Sequence, residues 1–203
     1  MEYFFLIFAI YWIFGFWGFY VSRKQHIRFF RVARQFYNSR IDRLQRPPFS
    51  SLVKALEEKE YTRAVLGIVS INFNMVVLQF IMGVFILAPF LAGFAGAITG
   101  MVFSFGKKET LFPYGVLNLL FGFAAFSTSG AVGLMVGIDW IFNEMEIIQA
   151  LWGNVSLIVT GMAISLIFLA INGLIEAAGP IFYDIENIPS IAAVRNKEYL
   201  SLD

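Results

Sequence analysis

Residues 64–106 read AVLGIVSINFNMVVLQFIMGVFILAPFLAGFAGAITGMVFSFG, with no Asp, Glu, Lys or Arg among them. A helix rises ~1.5 Å per residue, so ~20 apolar residues cross the hydrocarbon core of a bilayer. The stretch is long enough for two such helices. Pro89 marks the turn between them, because proline removes a backbone donor and crowds the preceding turn. The reading predicts one span over 64–87 and a shorter one over 90–105, built largely of small residues.

Working outward, residues 3–22 (YFFLIFAIYWIFGFWGFYVS) predict a first span. Met1-Glu2-Tyr3 brings neither a basic segment nor a cleavage site, so this span is expected to be retained. Its Trp12, Trp17 and tyrosines are expected to sit as anchors at the membrane–water interface. On the other side, apolar runs predict spans over 111–138 and 149–178, with Pro180 closing the last. The 203-residue chain is 59% hydrophobic and only 14% charged, about half the soluble norm. The expected fold is therefore an all-α, polytopic transmembrane helical bundle of about five spans.

Charge placement orients that bundle. All 15 Lys and Arg fall in 23–63, at Lys107–Lys108, or at Arg195 and Lys197. Cytoplasmic loops of membrane proteins hold the Lys and Arg. The rule places 23–63 inside the cell membrane and the N-terminus outside. Lys107–Lys108 return inside, the acidic loop 139–146 lies outside, and the tail lies inside. If 90–105 failed to cross, the later cations would not all stay on one side. The chain thus divides into a first span (1–22), a basic segment (23–63), a four-span domain (64–182) and a cytoplasmic tail (183–203).

Over 23–46 of the basic segment, Arg23, Lys24, Arg28, Arg31, Arg34, Arg40, Arg43 and Arg46 stand against a single acid, Asp42. Ile27, Phe30, Ala33, Phe36 with Tyr37, Ile41 and Leu44 recur at spacings of three and four, the mark of an amphipathic helix. Such a helix suits anionic lipid headgroups along 23–46, or packs on the protein's own core. Pro47-Pro48 is expected to stop it, and Ser50 or Ser51 to cap the next helix, 52–63, which runs into the second span.

Two rows of small residues recur at every fourth position: Ala88, Ala92, Gly96 and Gly100, and Ala125, Ser129, Gly133 and Gly137. Such rows let another helix approach closely, from the same chain or from a second one. Polar residues inside the spans are few. Asn72, Asn74, Gln79, Asn118, Asn154, Asn172 and Glu176 are the ones with most hydrogen-bonding reach. They read either as bonds between helices or as the lining of a polar path. Glu176 is the one acid well inside an apolar run, one turn beyond Asn172.

Catalytic chemistry finds little support. The chain has no Cys and a single His, His26, which removes thiol chemistry, Cys-based zinc sites and a Ser-His-Asp arrangement. No pair of intramembrane acids offers a dyad, and no Gly-rich run precedes a Lys as a phosphate loop does. A net charge of +1 gives no basis for nucleic-acid binding. The expectation is a protein that is not an enzyme and needs no cofactor or metal.

Several segments resemble one known family. They are Ile71-Asn72-Phe73-Asn74-Met75 with Gln79 to Gly83, Leu111-Phe112-Pro113-Tyr114-Gly115-Val116-Leu117-Asn118 running to Ser129–Gly133, and Leu174-Ile175-Glu176-Ala177 with Pro180. Over roughly 64–182 they are similar to the stage II sporulation protein M family of integral membrane proteins. Pro113, Gly115, Gly133 and Glu176 match its pattern. Tyr114 stands where the family has histidine, and Asn118 where it has glutamate. The resemblance implies a membrane component that works inside an envelope complex without being its hydrolase, or beside a transport system. The expected function is a non-catalytic membrane subunit that assembles with itself or with other membrane proteins. The alternative is a transporter-like subunit with a polar path along Asn72, Asn74, Asn118 and Glu176.

Overall fold

A computed structural model describes residues 1–23, 27–47, 49–105 and 115–182. They form eight α-helices and no strand: α1 (Glu2–Arg23), α2 (Ile27–Leu44), α3 (Phe49–Glu57), α4 (Tyr61–Val84), α5 (Ala88–Phe103), α6 (Val116–Ile141), α7 (Ile147–Gly153) and α8 (Val155–Phe182). Among these, α1, α4, α6 and α8 are long and apolar enough to cross a membrane. Helix α5 has 16 residues. At ~1.5 Å per residue it reaches about 24 Å, short of the ~30 Å hydrocarbon core.

Local chemistry moves several boundaries from where the sequence put them. Helix 52–63 does not run into the second span. Helix α3 ends at Glu57, Lys59 takes a positive φ of 56°, and the Glu60 N–H bonds the Ala55 carbonyl to close the turn. Ser50 and Ser51 lie inside α3 and not before it, because the Ser50 N–H already bonds the Arg46 carbonyl at 3.0 Å. The expected span 149–178 breaks at Asn154 into α7 and α8. There the Asn154 amide donates to the Asp139 carboxylate (2.7 Å) and to the Ala150 carbonyl (2.9 Å). Pro180 does not end α8, which continues to Phe182. Proline inside a helix costs ~3 kcal/mol, but Ala177 and Ile181 on either side of it are buried against α3 and α4.

Relative directions are set by which residues meet. Gly93 of α5 faces Ile10 and Phe14 of α1, Gly96 faces Tyr11, and Gly100 faces Gly15 and Phe19, so α5 and α1 run the same way. Helices α4 and α6 are also parallel: Ser129 meets Val76, Gly133 meets Phe80 and Gly137 meets Val84. Helix α8 runs against α6, since Asn172 meets Asn118 while Gly161 meets Val132. Helix α1 runs against α6 as well, with Ile7 beside Gly130 and Tyr11 stacked on Phe123.

These directions sort the ends of the bundle. At one end, Leu44 of α2, the apolar face of α3, the start of α4 and the end of α8 form one buried cluster. Helix α2 itself touches α1, α3 and α5. The Lys and Arg positions of the described residues, Arg23 to Arg63, belong to this end. At the other end, Val84, Val136 and Ala150 close the core under α7, and Phe85 meets Trp140 edge-on. The acids Glu2, Asp139, Glu144 and Glu146 lie at this end. His26, Pro48, Lys107, Lys108, Pro113, Tyr114, Arg195, Lys197 and the tail 183–203 lie outside the described residues.

Candidate functional site

The small-residue rows are closed seams. Ala92 is fully buried against α1. A Cβ on Gly96 would stand 2.6 Å from the Tyr11 carbonyl oxygen, and one on Gly100 would overlap the Gly15 carbonyl. On α6, the Ser129 hydroxyl donates to the Val76 carbonyl at 2.6 Å. A Cβ on Gly133 would overlap the Phe80 carbonyl, and one on Gly137 the Val84 carbonyl. Of the two occupants the sequence allowed, the structure seats helices of the same chain. The α5 row holds α1 and the α6 row holds α4, so neither row is left facing outward.

Beside these seams lies a cluster of amides. Asn72 of α4 donates to the Asn172 side-chain carbonyl of α8 at 3.4 Å. Asn172 in turn donates to the Asn118 backbone carbonyl of α6 at 2.8 Å and to the Asn118 side-chain oxygen. Gly122, one turn beyond Asn118, leaves the space that Asn172 fills; a Cβ there would lie 3.4 Å from its Nδ2. Glu176 follows Asn172 by one helical turn on the same face and is only 8% exposed. Next to it on α8, the Leu174 carbonyl accepts from the Tyr61 hydroxyl at 3.2 Å. Three helices are therefore joined by amides near the cation-bearing end. Interhelical bonds of this kind contribute ~0.6 kcal/mol each on average.

A second polar contact lies deeper. Gln79 donates to the Tyr11 hydroxyl at 2.7 Å, and both side chains are 0% exposed. The Gln79 side-chain oxygen has no partner among the described residues. Tyr11 thus departs from the expected role of an interfacial anchor. It is a core residue stacked on Phe123 at 4.6 Å, because Gly96 lets α5 close over it.

The candidate residues do not all converge. Asn72, Asn118 and Glu176 share the α4–α6–α8 interior with Asn172, which the sequence already places one turn before Glu176. Asn74 stands apart, exposed on the outer face of α4. Gly115 begins α6 with a helical φ of −61° and lines a cleft of about 180 Å³ with Trp12, Phe16, Phe19, Phe103 and Phe123. Pro113 is outside the described residues. Among the described residues, no three acidic or His side chains are grouped to hold a metal ion.

Compared with known families, curated proteins and solved structures, the chain shows no match to any of them. The likeness to the stage II sporulation protein M family therefore rests on the quoted residues.

Proposed function

We propose that this chain is a non-catalytic, multi-pass component of the cell membrane whose work is to assemble with other membrane proteins. The observation that carries this reading is Asn74, a neutral amide on the outer face of α4, near the middle of an apolar helix. In hydrocarbon an amide without a partner is costly, while one bonded across a helix–helix contact is not. The family resemblance supports the same role, since it implies a subunit of an envelope complex.

In this reading the chain crosses five times, with the N-terminus outside and the tail inside. The parallel run of α5 along α1 supports counting α5 as a crossing, and so does the gathering of Arg23 to Arg63 at one end. Helix α2 then lies at the inner headgroups, where anionic lipids meet its arginines. The chain has no native Cys, so single cysteines report topology cleanly. A cysteine at Glu144 should react with an impermeant thiol reagent from outside, and one at Lys107 should not. Labelling at Lys107 from outside, or its absence at Glu144, would overturn the five-span reading. Assembly is tested by purification in mild detergent. The chain should elute with a second polypeptide, like or unlike itself, and elution as a lone protomer at every detergent concentration would end the proposal.

A second reading, a transporter-like subunit, is favoured by the amide cluster and Glu176 meeting inside the bundle. Glu176→Gln should then change flux in proteoliposomes while the fold is retained. Unchanged flux of every solute the wild-type protein moves would remove this reading.

A further inference from the structure

We propose that two copies of this chain pair through the outer face of α4, with the Asn74 amides hydrogen-bonded to each other across a two-fold axis normal to the membrane. This rests on the assembly reading above and names its partner and its surface.

The face is defined by what the bundle leaves uncovered. Ser70 and Asn74 are both exposed, and around them Leu66 (64% exposed), Leu78 and Ile81 also point away from the other helices. Ser70, Asn74, Val77 and Ile81 follow one another by four, three and four residues. That mean spacing of about 3.7 residues is the repeat of the α-helix itself, so the four positions lie along one side of α4. Ser70 is small, so the two backbones approach closely near Asn74, as membrane helix pairs require.

Other outward-facing polar groups in the spans differ in kind. Ser156 and Thr160 on α8 are exposed, but hydroxyls on a helix bond the carbonyl one turn back. Thr128 already does so with Ala124 at 2.8 Å. An asparagine amide has two donors and an acceptor and is poorly served by its own helix. Asn74 makes no side-chain hydrogen bond among the described residues. The small-residue rows are not available for pairing, since α1 and α4 fill them.

The choice of a second copy as occupant follows from the chemistry of the group. An amide is its own complement, because the carbonyl of one accepts from the NH₂ of the other. Two identical helices related by a two-fold axis therefore satisfy both at once. An axis normal to the membrane also keeps both copies in the same orientation, as insertion of one sequence demands.

The test first keeps Asn74 intact and reads the contact from its neighbour, and then replaces Asn74. Ser70→Cys in native membranes, treated with a membrane-permeant oxidant, should form a disulfide-linked homodimer of the 23.0 kDa chain. Ile164→Cys, exposed on α8, should not. Adding Asn74→Leu to the Ser70→Cys chain should lower the crosslink about tenfold. A Ser70→Cys chain that dimerises no more than Ile164→Cys overturns the proposal, as does a crosslink indifferent to Asn74→Leu. If Ser70→Cys captures only a different polypeptide, self-pairing falls while the assembly reading stands. If it captures nothing and mild-detergent elution gives only the protomer, both fall together.

Discussion

Asn72 and Asn74 stand two residues apart on α4, yet they face opposite surroundings. Two positions turn a helix by ~200°. Asn72 therefore points into the bundle, where Asn172 and Asn118 receive it, and Asn74 points outward. The same amide clamps helices of one chain in the first case, and in the proposed pairing it meets another chain in the second. The small-residue rows are the counterpart. Gly96–Gly100 and Gly133–Gly137 look in sequence like surfaces waiting for a partner, but they are filled. In this bundle glycine rows build the protomer, and the proposed pairing uses the exposed face of α4.

Three substitutions break or sharpen that contrast. The largest effect is expected at a seam. In Gly133→Leu the new side chain runs into the Phe80 carbonyl, and backbone yields poorly, so folding stability should fall by ~3 kcal/mol or more. Thermal unfolding in detergent should show it, and a variant as stable as wild type would mean that the α4–α6 seam is looser than described. Asn172→Ala comes next. It strips Asn72 and Asn118 of their common partner and should cost about 1–2 kcal/mol. Self-association should be unaffected, because the lost bonds are internal. Impaired pairing with unchanged stability would reverse the roles given to the two asparagines. The smallest effect on the protomer is expected for Asn74→Leu, within ~0.5 kcal/mol, as for other exposed positions. A large loss of protomer stability would show that Asn74 serves the fold itself.

Much of the fold was legible because bilayer helices must satisfy their own backbone and must be apolar over a fixed length. The runs near 3–22, 64–87, 90–105 and 111–138 each correspond to a helix, α1, α4, α5 and α6. Boundaries were legible only where a local rule acted unopposed. Helix α2 stops at Leu44, before the prolines, but Pro180 failed as a stop because packing around Ala177 and Ile181 holds the helix past it. Asn154 broke an apolar run that no proline interrupts, through its bond to Asp139.

The candidate site was less legible. Asn72, Asn118 and Glu176 were visible as polar residues in apolar runs. That they share one interior, that Asn172 bridges two of them, and that Asn74 is excluded all depend on helix rotation and on which helices are neighbours. The burial of Tyr11 on Gln79 is of the same kind, since a tyrosine reads as an interfacial anchor until a glycine on another helix lets the chain close over it.

By itself the sequence determined the class of structure, the approximate spans and the grouping of cations, because length, apolarity and charge are properties of consecutive residues. Only the tertiary structure decided which glycine rows were already filled and which asparagine faced out. Those outcomes depend on contacts between residues far apart in the chain, such as Gly133 with Phe80 and Asn172 with Asn118, and no local pattern encodes them.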